Sequence, residues 1–239
     1  MTKKNLPGKR SAFLEKVKQS KAVQKPVKKD QLTQRLTPGV PRLLFTLDAT
    51  ASREGAWNVA RKITQSMFEQ LPGELEVSLG WHGGGYLQEI TPFSANSRGF
   101  LDKLNAVTCH AGQTALNELL QEAVQIPRVK AMVYIGDAYE EYEEDAYALA
   151  EQLKIKGVKL FMFHDRSSAR YGYDVDSARV VFGKLVDICG GCLLDFNEDA
   201  PQSSKDLLNA IAVYAVGGVK ALEKQHYQLP GARLLLDEL

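Results

Sequence analysis

The stretch that most constrains the fold is Leu43-Leu44-Phe45-Thr46-Leu47, followed by Asp48, Thr50 and Ser52. The run at 43–47 is apolar on both faces and too short for a helix. It therefore reads as a strand buried in the middle of a sheet. Polar residues in the loop after such a strand sit at the carboxyl edge of an α/β sheet, where ligands collect. Asp48, Thr50 and Ser52 alternate along that loop and offer one carboxylate and two hydroxyls, the oxygens that hard cations prefer. The same residue types are common turn and cap formers, and Ser52 is placed to cap a helix starting near Glu54.

Composition excludes several classes. With 239 residues, 44% hydrophobic and 25% charged, the chain can bury one sizeable core but not two comfortable ones. No apolar run approaches a membrane span, and the basic N-terminus lacks the apolar stretch of a signal peptide. Three cysteines, an odd number, argue against a disulfide-framed secreted protein. The expectation is a soluble cytoplasmic protein with no membrane contact.

The near-neutral net charge hides an asymmetry. Residues 1–36 hold 11 Lys or Arg and two acids, leaving 19 of the 30 basic and 27 of the 29 acidic residues to the remainder. A tail of +9 thus precedes a globule of −8. Residues 1–40 read as a basic, disordered arm, poor in aromatics and punctuated by Pro26 and Pro38. Through residues 1–36 it is suited to nucleic acid or another acidic surface. The alternative is a solvated leader, since no stacking aromatics interleave the lysines.

Beyond the first strand the pattern alternates. Trp57, Ala60, Ile63, Met67, Phe68 and Leu71 recur at helical spacing, which predicts a helix over 54–71, stopped by Pro72-Gly73. Residues 74–81 alternate as a strand, 82–85 (His-Gly-Gly-Gly) as a turn, and 86–91 as an antiparallel edge partner. A loop at 92–98 leads to a short helix around Phe100 and Leu104, and a loop at 109–113 to a helix over 114–125. A second apolar strand covers 129–135 and ends at Gly136-Asp137. A charged helix (142–156), a strand (158–163) ending at His164-Asp165, a polar loop (166–176) and a helix from Ser177 to Cys189 follow. Gly190-Gly191 ends that helix. A last strand at 192–196 and a long helix from about Ser203 to Lys224 complete the pattern. Residues 41–226 read as one domain and 227–239 as a C-terminal tail. The alternation predicts an α/β fold, a doubly wound, mostly parallel open sheet with one antiparallel edge strand.

Three loops now fall at the same sheet edge. They carry Asp48-x-Thr50-x-Ser52, then Gly112-Gln113-Thr114, then Asp137. This arrangement resembles the von Willebrand factor A (vWA) family over roughly residues 42–225. The resemblance implies a Rossmann-like vWA domain with a metal-ion-dependent adhesion site. That site would be formed by Asp48, Thr50, Ser52, Thr114 and Asp137, with Thr50 where the family more often has serine. It implies Mg²⁺ (or Mn²⁺), an ion that wants near-octahedral oxygens at about 2.0–2.1 Å. It also implies a protein partner presenting Asp or Glu to the open coordination position, and a binding module in place of an enzyme.

Other signals are open to two interpretations. Cys189-Gly190-Gly191-Cys192 has CxxC spacing, but it ends a helix, where the dipole opposes a thiolate, so two buried thiols are expected. His82, His110 and His164 lie near strand ends. A metal-assisted hydrolase with His82 or His164 as base is the enzymatic alternative. The acids at 140, 141 and 143–145 suit the first turn of a helix and read as a solvated helix start that is also able to present charge to a basic partner.

Overall fold

A computed structural model describes residues 39–54, 61–62, 75–171, 174–196 and 201–239. The basic segment and most of the helix expected over 54–71 lie outside the described residues; Glu54, Arg61 and Lys62 are helical. The strands are β1 (Arg42–Asp48), β2 (Glu76–Gly83), β3 (Tyr86–Ile90), β4 (Val129–Gly136), β5 (Lys159–Asp165) and β6 (Cys192–Phe196). Between and after them run α1 (Ser97–Ala106), α2 (Leu116–Gln125), α3 (Glu143–Ile155), α4 (Asp176–Cys189), α5 (Pro201–Gln225) and α6 (Pro230–Glu238).

The strands form a single sheet in the order β3-β2-β1-β4-β5-β6. All pairings are parallel except β2 with β3. The doubly wound sheet with one antiparallel edge strand is therefore present as the sequence predicts. Burial on both faces explains it. Leu43, Phe45 and Leu47 point into one layer with Val133, Ile135, Phe161 and Phe163, where Phe100 of α1, Ile211 of α5 and Leu235 of α6 cover them. Leu44, Met132, Tyr134, Leu160 and Met162 point into the other, against Leu119 of α2, Leu153 of α3 and Phe182 of α4. Each fully buried Leu or Phe contributes about 1.5–3 kcal/mol by leaving water.

The parallel register aligns the strand ends that matter. Asp48 is opposite His82, and Gly136, just before Asp137, is opposite His164. The chain leaves β1 toward β2 and later returns on the other side as β4, so the order reverses between β1 and β4. That reversal opens a crevice at the carboxyl edge, with Asp48 and Asp137 on its two sides.

Several boundaries differ from the sequence expectation. His82 and Gly83 belong to β2, and only Gly84 and Gly85 turn, at φ 71° and 88°. Positive φ at both central residues is what a two-residue hairpin needs. Helix α1 starts at Ser97 because the Asn96 side chain accepts the Arg98 N–H at 3.0 Å. Helix α4 is capped not by Ser177 but by Asp174, whose carboxylate accepts the N–H groups of Asp176 and Ser177. Residues 230–238, expected as part of a tail, form α6 instead. Pro230 opens that helix, Ala232 and Leu235 are buried, and Gly231 packs where a Cβ would sit 1.9 Å from the Asp206 carbonyl oxygen.

Candidate metal centre

The loop after β1 is fixed from both sides. The Ala49 N–H donates to the His82 carbonyl at 2.8 Å, and the His110 N–H donates to the Ala49 carbonyl at 2.9 Å. Gly83 allows this approach, since a Cβ there would lie 2.6 Å from the Ala49 oxygen. Within the loop, Asp48 Oδ1 accepts the Thr50 N–H at 2.8 Å, an Asx turn. The Thr50 and Ser52 hydroxyls lie 3.0 Å apart. Residues Ala51–Arg53 make one 3₁₀ turn, so Ser52 sits inside a turn, its hydroxyl against that of Thr50.

Thr114 and Asp137 face this loop. Thr50, Ser52, Thr114 and Asp137 line one cleft of about 190 Å³, together with Ala51, Ala111, Gly112, Ala138 and Glu140. Asp48 does not line the cleft; it is fully buried and joins the wall through Thr50, whose N–H it accepts. Four of the five residues singled out in the sequence thus share one cleft. Gly112 makes the Thr114 loop possible: at φ 150° it passes so close to the hairpin turn that a Cβ would sit 2.5 Å from the Gly84 carbonyl carbon.

Asp48 Oδ2 and both Asp137 oxygens are buried without a hydrogen-bond partner among the described residues. A buried carboxylate oxygen without a donor is costly. The cost shows in Asp48, whose carboxyl is pushed up to about 7 by burial and by the Asp137 charge, against the opposing pull of Arg53. The Thr114 hydroxyl donates to Glu141 Oε1 at 3.2 Å and accepts the Glu140 N–H at 3.0 Å. That leaves it one lone pair for a further contact. Two carboxylates with open oxygens and three hydroxyls fit a hard divalent cation.

No family model matches the sequence, and no curated protein matches it either. Solved structures do. The von Willebrand factor type A protein from Catenulispora acidiphila aligns with a TM-score of 0.59 at 13% identity, over 75% of this chain and 43% of that one. The SpRpn10 VWA domain aligns with a TM-score of 0.53 at 12% identity, over 70% of this chain and 94% of that one. Proximal thread matrix protein 1 from the mussel byssus, with a zinc-occupied MIDAS motif, aligns at 0.56 and 12%, over 73% of this chain and 46% of that one. This chain has a von Willebrand factor A-type fold. It spans less than half the length of the first and third of these relatives.

Within the vWA-type fold, three residues at the same edge take roles that the sequence did not show. Glu141 caps α2 from outside: its carboxylate accepts the Leu116 N–H at 2.6 Å and the Asn117 N–H at 2.8 Å. It satisfies orphan donors of a helix N-terminus and complements the dipole there; it is not part of a solvated helix start. Glu140 accepts the Thr114 N–H at 3.1 Å. Arg53 is buried and pairs with Asp165 at the end of β5, its guanidinium 5.8 Å from the Phe196 ring centre. An arginine directly after the Asp-x-Thr-x-Ser run and an aspartate ending a strand were the only available signals.

The histidines do not assemble. Among the described residues no group of three or more His, Cys, Asp or Glu side chains converges as a ligand cluster. His82 Nδ1 accepts the Ala115 N–H at 3.2 Å, so Nε2 bears the hydrogen facing the Tyr134 hydroxyl 3.0 Å away. Burial holds its pKa down to about 4. It is a neutral strut between β2 and the Thr114 loop, with both nitrogens engaged. His164 is also lowered, by burial and then by Arg179. Cys189, at the end of α4, and Cys192, at the start of β6, are free, buried thiols pushed up to about 12 by burial.

Proposed function

We propose that this chain is a divalent-cation-dependent protein-binding module. Asp48, Thr50, Ser52, Thr114 and Asp137 would hold Mg²⁺ or Mn²⁺, and the partner would present an Asp or Glu side chain. The observation that carries the reading is the set of three buried carboxylate oxygens, on Asp48 and Asp137, that find no donor among the described residues. The hydroxyls of Thr50, Ser52 and Thr114 add neutral oxygens on the wall of the same cleft. Few anionic ligands leave a bound cation electrophilic, which is the chemistry that attracts a carboxylate. The mussel protein whose structure has a zinc-occupied MIDAS motif shares this fold and supports a cation at this edge.

A binding role is favoured over hydrolysis by His82. Its acceptor nitrogen is spent on a backbone N–H, and its lowered pKa makes it a poor base at neutral pH. No described helix is long and apolar enough to cross a membrane. Free thiols in an odd number favour a reducing compartment, and we place the module in the cytoplasm.

The test is thermal melting with millimolar Mg²⁺ or Mn²⁺ against EDTA, for wild type, Asp48→Ala and Asp137→Ala. Wild type should gain stability with metal and both variants should not. Equal shifts in all three, or none in wild type, would refute the site.

A further inference from the structure

A second cleft lies away from the candidate metal centre, between α1 and the first half of β2. Past the end of β3 the chain still follows β2. The Thr91 N–H donates to the Leu79 carbonyl at 2.8 Å, and Val77 and Ser94 exchange backbone hydrogen bonds at 2.9 and 3.0 Å. Between this segment and α1 is a cavity of about 230 Å³. Its apolar lining is Pro92 with the buried Val77 and Phe100. Phe100 is fixed edge-on against Phe45, the ring centres 6.1 Å apart. Val77 precedes His82, the residue opposite Asp48, by five positions on β2, which is about 17 Å along a strand. The two clefts are therefore separate.

The polar part of the lining offers donors. Ser94 Oγ accepts the Asn96 N–H at 2.9 Å, and Asn96 Oδ1 accepts the Arg98 N–H at 3.0 Å. Both bonds use acceptors, so the Ser94 hydroxyl and the Asn96 amide keep hydrogens to give. Lys103 Nζ lies on the two Glu89 oxygens at 2.8 and 3.1 Å, so the Glu89 charge is met. Gly99 supplies an independent signal. It lines the cleft in the first turn of α1, where glycine costs backbone entropy that alanine does not. The fold does not ask for it: its φ is not positive, and a Cβ there would meet no atom within 4 Å. What the missing side chain does is leave the cleft open.

We propose that this cleft is a second binding site, one that takes a compact apolar carboxylate. The ring or branched chain of such an acid packs against Val77, Pro92 and Phe100, where it gains by leaving water. Its carboxylate accepts from the Asn96 amide and the Ser94 hydroxyl, bonds strengthened by the charge, with Lys103 on the same lining. The cavity is smaller than the roughly 300–1,000 Å³ of sites for drug-sized ligands, so it suits a single ring and not a nucleotide. No cation is needed, and the site stands apart from the metal reading.

The test is titration of the full chain with 4-fluorophenylacetate, read by fluorine NMR in EDTA, so that no metal ion recruits the carboxylate. Wild type should bind it saturably. Gly99→Leu fills the opening and should abolish that binding while melting at or above the wild-type temperature. Asn96→Asp keeps the oxygen that caps α1, removes the amide donors and sets a like charge against the probe. It should bind about tenfold more weakly or worse, with its melting temperature unchanged. Absence of saturable binding by wild type would overturn the proposal. Equal binding by wild type and Gly99→Leu would place the probe elsewhere and overturn it too. Undiminished affinity in Asn96→Asp would remove the carboxylate contact, and the proposal with it, whether or not Gly99→Leu folds.

Discussion

Replacing Asp48 with asparagine should stabilise the metal-free protein at alkaline pH, although it removes a side chain at the heart of the site. Burial and the Asp137 charge lift the Asp48 carboxyl from 3.8 to about 7 in the folded chain. Between those values the folded protein holds a proton that the unfolded chain has released. Stability is therefore fully present below the unfolded value and is lost as pH rises through about 7. Each tenfold change in proton affinity is about 1.4 kcal/mol, so the full displacement approaches roughly 4 kcal/mol; relaxation of the loop reduces this to about 2–4. For a domain of this size about 1 kcal/mol moves the melting point by roughly 2–4 °C. Asparagine keeps an oxygen for the Thr50 N–H, places its amide where Oδ2 is orphaned, and carries no charge. In EDTA at about pH 8, Asp48→Asn should melt roughly 5–10 °C above wild type, and the two should converge as the pH falls toward about 4. Calorimetric melts at both pH values measure this. Millimolar Mg²⁺ should then raise wild type alone. If Asp48→Asn melts at or below wild type at the higher pH while wild type is flat across the range, the carboxylate is not buried against its charge and the argument fails.

Two further outcomes follow from named contacts. Glu141→Ala removes the acceptor of the Leu116 and Asn117 N–H groups, an N-cap lost together with its charge. Chemical denaturation should show about 1–3 kcal/mol less stability in metal-free protein, and an unchanged midpoint would mean that water replaces the cap. Cys189 and Cys192, with thiols pushed up to about 12, should resist alkylation in the native state at neutral pH. Labelling at the rate of a free thiol would show that the β6 edge opens.

The sheet is legible in the sequence because its strands are apolar on both faces, a pattern that little else produces. The five oxygen-bearing residues are legible because each follows the right strand or precedes the right helix. What escapes is contact between distant segments. Arg53 is buried because its partner Asp165 lies 112 residues away. Glu141 reads as part of its own helix start, yet it reaches across to α2; no spacing rule encodes a cap supplied by another segment. His82 reads as the first residue of a glycine turn, but β2 continues because the Ala49 N–H needs its carbonyl. Residues 227–239 read as a tail, yet Pro230-Gly231 opens a helix. Proline is welcome at the first helical position, and glycine there is demanded by the close Asp206 carbonyl.

The Thr114 N–H goes to Glu140, the Ala115 N–H to His82, and those of Leu116 and Asn117 to Glu141. The Thr50 N–H goes to one Asp48 oxygen. Arg53, close enough to pull Asp48 downward, pairs with Asp165. These backbone donors are committed, while the three carboxylate oxygens of Asp48 and Asp137, like Nε and Nη2 of Arg53, are buried without a hydrogen-bond partner among the described residues. A loop selected only for stability would turn one of those donors inward, since leaving a buried acceptor unmet costs about 1–3 kcal/mol. A proton on Asp48 could serve one Asp137 oxygen and would still leave the other bare. A divalent ion in the cleft, as proposed above, would bring positive charge to these oxygens. That unmet need for positive charge is the physical basis of the proposed cation role.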